Sequence, residues 1–444
     1  MTKILKNPIW LLVLITVSFF IYNGWNLPDY DDAAITYRYA ENIASGHGFV
    51  YNLGERVLGT TTPLFTLLLA LGIKLGIRVH FLSASISLLS LAAAVFLLYR
   101  KSKLPRQYFI FFLLNAQIMI GATCGMECGL YFSAILITII LWQGKHCFWA
   151  GLAGGLTLLI RPDGILVMAA LLSASFWADG KQVTWKPFSL LLLGFSIVAV
   201  PWLVFSWRYF GGILPMSFYA KVQGGLNPGI LWSLVYKSLY LVPFFILGFY
   251  SVVKKAKQDC YEIRFYLAVW FVLYALAFIL MNLTERMVWY VFPLEMTYVL
   301  FSLDGVQMTV QAMGRRKVRT AWLLVPLIAV ALMFYGYGLY SYHRWLSGKE
   351  QAKVEAGVWL SQNTPPNAVV ACRSSLGQAG YYSRRRMVDN AGLINPKYDF
   401  ETLIRTYRPD YVKSQVVLDY PGYCLVYCRP IKGFDNFMMI YKRI

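Results

Sequence analysis

Apolar runs of about 18 residues recur along most of this chain, and that recurrence leaves few folds open to it. A helical run of roughly that length spans the hydrocarbon core of a bilayer. Such runs are centred on residues 11–21, 82–99, 188–205, 265–280 and 321–336. Composition agrees: the 444 residues are 58% hydrophobic and 14% charged, against about 25% charged in soluble domains. The chain reads as an α-helical polytopic membrane protein.

A net charge of +20 in a soluble chain would point to nucleic acid. Here the location of the charge excludes that reading. Lys3 and Lys6, the basic residues of 100–106, Lys145, Lys181, Lys186, and those of 254–264 and 315–319 lie in alternate loops, 17 in all. The intervening short loops hold eight: Arg38, Arg56, Lys74, Arg78, Arg161, Arg208, Lys221 and Arg286. This is the asymmetry of the positive-inside rule, and it makes the first set cytoplasmic. No small-residue cleavage site follows the first apolar run, where Trp25-Asn26-Leu27-Pro28 stands, so it is expected to remain as an uncleaved span.

Spans are then expected at about 80–99, 107–122, 125–142, 147–160, 164–178, 188–207, 230–252, 263–281, 288–303 and 320–341. With the first run this makes about eleven crossings, N-terminus cytoplasmic and C-terminus outside. Residues 28–79 form a long outer segment. Within it Ile35, Tyr39 and Ile43 recur at helical spacing, predicting an amphipathic helix over 33–45 on the membrane face. Residues 63–75 are apolar but short, and read as an interfacial or re-entrant segment. Two domains follow: 1–341 in the membrane, and 342–444, which holds 15 of the 41 basic residues, as a small soluble α/β module outside. In the module a helix is expected at 348–362 and strands at 368–372, 387–389, 411–413, 423–427 and 438–441. Cys372, Cys424 and Cys428 fall in this tail, where they can pair as disulfides or remain free thiols.

The residues able to do chemistry are few. Asp29-Tyr30-Asp31-Asp32 places three of only 21 acids just beyond a span. A carboxylate there can act as base toward an acceptor hydroxyl; equally, Asp31 or Asp32 can cap the following helix. Glu127 stands at the outer end of a span, where an ionisable group is costly and marks a functional candidate, or simply reaches water. Arg161, Arg208, Lys221 and Arg286 lie at separate outer span ends. Converging, they would bind phosphate; dispersed, they would be snorkelling anchors.

The run Asp31-Asp32-Ala33-Ala34-Ile35-Thr36-Tyr37-Arg38-Tyr39-Ala40, followed by Gly46-His47-Gly48-Phe49-Val50-Tyr51-Asn52, Gly54-Glu55-Arg56-Val57 and Thr61-Thr62-Pro63-Leu64, resembles the first outer loop of GT-C glycosyltransferases. It is similar in particular to the branch containing actinobacterial terminal arabinofuranosyltransferases. Gly125-Met126-Glu127, Arg161-Pro162-Asp163-Gly164, the loop 215–221 and Arg286-Met287-Val288-Trp289-Tyr290 with Pro293 resemble the same branch in the same order, as do 377–382, Val388-Asp389 and Gly392-Leu393 in the tail. The chain differs at Gly59-Thr60-Thr61-Thr62-Pro63, where that branch often has Gly-Tyr-Thr-Ser-Pro, and at Arg373-Ser374, where it often carries an acid.

The resemblance implies a GT-C transferase that takes a sugar, arabinofuranose in that branch, from a polyprenyl-phosphate donor. The acceptor would be an envelope glycan, a lipid or a surface protein such as a pilin, outside a bacterial inner membrane. It implies Asp31 as base with Asp32 in support and Glu127 as a further acid, and donor phosphate contacts from Arg161, Arg208, Lys221 and Arg286. Substrate contacts would come from Tyr37, Arg38, His47, Asn52, Glu55 and Thr62. The resemblance names no cofactor and leaves a divalent metal open. The rival is a transporter or flippase for a lipid-linked sugar, which should show internal repeats or paired broken spans; a third reading is a non-catalytic scaffold with the tail as binding module.

Overall fold

The computed structural model describes residues 27–179, 185–222, 225–255, 262–282, 287–315 and 320–444. Expected features at 1–26, including the first span, and Arg286 lie outside these. By length and composition four helices can cross a membrane: Val79–Ser102, Trp185–Phe210, Ile263–Leu280 and Ala321–Asn363. The count rises to six if each of two bent pairs is one span, and three shorter apolar helices stand beside them. Eleven crossings are therefore not reached among the described residues.

The two bent pairs correct the sequence reading. Instead of one span over 107–122, a 3-10 turn, a short helix Ile110–Leu113 and Ala116–Thr123 follow one another. Asn115 starts the last of these, its side-chain oxygen accepting the Ile118 N–H at 3.1 Å. The chain then bends by 104° into Cys128–Gln143. Gly125 in the bend has φ +84°, and a Cβ there would lie 2.4 Å from the Tyr37 hydroxyl. Likewise 230–252 breaks between Gly229–Val235 and Leu239–Lys255, bent by 86°.

The membrane helices pack through small residues, as helices must when lipid offers no hydrophobic drive to associate. A Cβ on Gly129 would sit 2.0 Å from the Ser87 carbonyl oxygen, one on Gly194 2.1 Å from that of Phe148, and one on Gly248 1.9 Å from that of Phe301. These approaches join Val79–Ser102 to Cys128–Gln143, Cys147–Ile160 to Trp185–Phe210, and Val242–Lys255 to Val288–Arg315.

Helix Ala321–Trp345 continues without a break through a π-turn, Leu346–Glu350, into Gln351–Asn363, carrying the chain from bundle to tail. The tail holds strands β1 (Val369–Cys372), β2 (Arg386–Asp389), β3 (Tyr411–Ser414), β4 (Tyr423–Pro430) and β5 (Phe437–Arg443), all close to their expected positions. They form one sheet in the order β2-β1-β3-β5-β4. The β1 pairings are parallel and those of β5 antiparallel. Cys372, Cys424 and Cys428 are free thiols; burial pushes Cys372 up to about 11.

The helix Asp31–Ala44 differs most from expectation. It does not lie on a membrane face with its polar side in water, because Asp31 and residues 33–40 are buried. The tail covers the side that local periodicity left polar.

A candidate active site between the outer segment and the tail

Neither aspartate caps its helix. Tyr30 holds the N-cap, and Asp31 and Asp32 occupy the first turn, where the helix dipole favours negative charge. One residue apart, they face different surroundings.

Asp31 is buried against the tail. Its Oδ2 accepts the Gly377 N–H and its Oδ1 the Gln378 N–H, each at 3.0 Å. These amides open the helix Gly377–Ser383, and a Cβ on Gly377 would lie 1.7 Å from the Asp31 carbonyl oxygen. Lys353 Nζ approaches Asp31 to 3.9 Å and Glu350 to 2.7 Å. Burial alone would raise the Asp31 carboxyl; Lys353, Lys413 and the two backbone donors outweigh it and hold it below the ordinary carboxylate value. A carboxylate so held is a weak base and a strong anchor.

Asp32 instead lines a small pocket, with Lys221 Nζ 3.5 Å from its Oδ2. Six parts of the chain meet there. The outer helix gives Asp32, Ile35 and Thr36, and the turn 59–61 gives Gly59, Thr60 and Thr61. Met126 comes from the bend, Ser217 and Lys221 from Met216–Lys221, Trp289 and Tyr290 from Val288–Arg315, and Leu393 from the tail. The Ser217 hydroxyl is buried with no hydrogen-bond partner, so a polar ligand group would complete it.

The other expected cations behave differently from one another. The Arg161 guanidinium is spent on two carboxylates: Nη1 donates to Glu127 at 2.8 Å and Nε to Asp163 at 3.0 Å. It also lies 4.9 Å from the ring centre of Tyr290, and Lys221 Nζ lies 5.6 Å from the same centre. Arg161 and Lys221 thus flank Tyr290, which lines the Asp32 pocket, and Glu127 pairs with Arg161, whereas Arg208 is exposed at the end of Trp185–Phe210.

The outer-segment residues expected to touch substrate mostly hold the tail. Arg38 donates to the carbonyls of Gly380 at 2.8 Å and Arg385 at 2.7 Å. Asn52 exchanges hydrogen bonds with the Met387 backbone at 2.8 and 3.0 Å. Glu55 accepts from Arg386 at 2.6 Å. Tyr37 donates to Asp29 at 2.8 Å and pairs with Ser83 at 2.6 Å, away from the pocket. Thr62 is buried in a hydroxyl cluster with Thr36 and Thr60, and His47 is exposed. Of the pocket's other residues, Ser217 and Tyr290 lay inside segments the sequence singled out; Thr36 and Thr60 carried no separate signal. Among the described residues no group of three or more His, Cys, Asp or Glu is placed to hold a metal ion.

A family model described as a domain of unknown function, DUF8728, matches residues 341–442. The terminal β-(1→2)-arabinofuranosyltransferase of Mycobacterium tuberculosis (strain ATCC 25618 / H37Rv) is 27% identical over 270 residues, 54% of this chain and 42% of that protein. The chain therefore spans less than half the length of that relative. Among solved structures, ArnT from Cupriavidus metallidurans bound to undecaprenyl phosphate superposes with TM-score 0.57 at 11% identity, over 97% of this chain and 98% of that one. The apo state of ArnT gives TM-score 0.63 at 13% identity, over 98% of both chains. A match of that extent covers the bundle and the tail alike: this protein has the fold of the GT-C membrane glycosyltransferases.

Proposed function

We propose that this protein transfers a sugar, arabinofuranose by its likeness to the mycobacterial relative, from a polyprenyl-phosphate donor to an envelope glycan, lipid or surface protein. The observation that carries the reading is the Asp32–Lys221 pair, at 3.5 Å, in a pocket built jointly by bundle and tail. The basic-loop asymmetry supports placing that pocket outside the cytoplasm, and the undecaprenyl phosphate bound to ArnT supports the carrier class.

In this reading Asp32 takes the proton of the acceptor hydroxyl while that oxygen bonds to the anomeric carbon. The bond from that carbon to the phosphate oxygen breaks, and the electron pair leaves with the phosphate. Phosphate is a sufficient leaving group without a general acid, and cations near it stabilise the departing charge. Lys221, 3.5 Å away, orients Asp32 until the acceptor arrives. Asp31 holds the tail, and through the shared first turn it holds Asp32 toward the pocket. The assignment of the base to Asp32 rather than Asp31 follows from their surroundings: one faces a cavity, the other is closed in by donors.

A deletion strain tests this in the cell. Mass spectrometry of its envelope glycans and surface proteins should show loss of a terminal pentose, restored by the intact gene but not by Asp32→Asn. An unchanged envelope would count against the reading.

A further inference from the structure

The Asp32 pocket encloses about 30 Å3. A water-sized group needs roughly 10–15 Å3 of such space. The pocket therefore takes about two such groups, a hydroxyl and the carbon that bears it, and leaves a sugar ring at its mouth. Its lining divides in the same way. Ile35, Met126, Trp289 and Leu393 present apolar surface, while Asp32, Lys221 and the hydroxyls of Thr36, Thr60 and Ser217 are among its polar groups.

Those hydroxyls differ in what they already hold. Thr36 and Thr60 lie 3.3 Å apart and Thr60 lies 3.2 Å from Thr62, so the threonines satisfy one another. Ser217 is only 6% exposed, and its hydroxyl has no hydrogen-bond partner among the described residues. A buried hydroxyl in that state costs free energy and calls for a ligand or a catalytic role. Positions 217 and 221 stand four apart on the short helix Met216–Lys221 and so share one face of it. Ser217 is thus presented to the same space as the ammonium that contacts Asp32.

The backbone around Ser217 is fixed. The Met216 N–H donates to the Leu58 carbonyl at 2.8 Å, and the next residue of that turn, Gly59, donates its N–H to the Tyr39 hydroxyl at 2.9 Å. A Cβ on Gly59 would lie 2.8 Å from the Leu393 carbonyl oxygen, so the tail closes over the same turn. The serine is a held donor lacking an acceptor, in the space that contains the proposed base.

Resting on the transfer reading above, the group that enters is the acceptor's. An alcohol oxygen carries one proton and two lone pairs. Asp32 takes the proton, and one lone pair forms the bond to the anomeric carbon as the phosphate leaves with its electron pair. The other lone pair is left to accept a hydrogen bond. We propose that Ser217 supplies it: Ser217 binds the attacking hydroxyl of the acceptor and holds that oxygen beside Asp32, giving up no proton itself. The pocket then receives the acceptor by one alcohol arm and does not enclose its ring.

The purified full chain, supplied with an isoprenyl-phosphate-linked arabinofuranose and an arabinan oligosaccharide, tests this. Ser217→Ala should lower kcat/KM for the acceptor by roughly three- to tenfold, the scale of one hydrogen bond between uncharged groups. The donor KM should stay unchanged. The unfolding temperature should not fall, because no protein group loses a partner. Ser217→Val should fill the space beside Asp32 and abolish transfer in a folded protein. An unaltered acceptor kcat/KM in Ser217→Ala, or near-native transfer by Ser217→Val, would overturn the proposal. A raised donor KM with the acceptor kcat/KM intact would overturn it in favour of a hydroxyl on the donor sugar, and a lowered unfolding temperature would give the serine a structural role instead. Full transfer by Asp32→Asn would sink the transfer reading itself, whereas an inactive Asp32→Asn beside a native-like Ser217→Ala would sink this inference alone.

Discussion

Asp31→Asn separates an anchor from a base. Asp31 accepts two backbone N–H groups, from Gly377 and Gln378, and faces Lys353 at 3.9 Å. Asparagine keeps one carbonyl oxygen, so one of those donors would meet an NH2 group instead. Losing a hydrogen bond to a charged acceptor costs about 1.5–3 kcal/mol. Lys353 keeps Glu350 at 2.7 Å, so it avoids the full cost of an orphaned buried charge, about 3–5 kcal/mol. The net weakening of tail docking is therefore roughly 2–3 kcal/mol, or about 30- to 150-fold more frequent opening. Hydrogen exchange over 377–389 in the purified chain reads that opening directly. The account expects faster exchange there, and transfer reduced only as far as docking is lost. Wild-type protection together with abolished transfer would refute it and return the base to Asp31.

Gly377→Ala should loosen the same contact by about 1–3 kcal/mol, because its Cβ would lie 1.7 Å from a backbone oxygen that has no rotamer to retreat to; unchanged exchange over 377–389 would contradict the close approach. Arg161→Lys should lower thermal stability by on the order of 2 kcal/mol, since one ammonium cannot serve Glu127 and Asp163 as the guanidinium fork does; an unshifted unfolding temperature in detergent would contradict that role. The Asp31 carboxyl is lowered on docking, so its contribution is full above the ordinary carboxylate value and is lost as pH falls through the lower docked one. Exchange over 377–389 should then be limited by the same opening equilibrium at pH 5 and pH 7, after correction for intrinsic rates, and pronounced undocking between those values would contradict it.

Hydropathy made the long helices legible. Those expected at 80–99, 188–207 and 263–281 run from Val79 to Ser102, Trp185 to Phe210 and Ile263 to Leu280. It separated 107–122 from 125–142, close to the break at 124–127, but could not register the one at 236–238, because transfer free energy is blind to a bend inside a continuous apolar run. The tail strands alternate and punctuate clearly enough to be read locally. The outer segment was found but misread in detail: Arg38, Asn52 and Glu55 are polar because the tail, more than 300 residues later, supplies their partners. Spacing alone also cannot tell Asp31 from Asp32, since their difference lies in what packs on each side of one helical turn.

The most direct measurement is transfer by the purified chain from an isoprenyl-phosphate-linked arabinofuranose to an arabinan oligosaccharide, comparing the native protein with Asp32→Asn. Asparagine keeps the shape of Asp32 and removes its basicity. The account predicts a fall of roughly 10²–10⁴-fold, the scale of general base catalysis, with hydrogen exchange over 377–389 unchanged. Near-native transfer by Asp32→Asn would contradict the central claim.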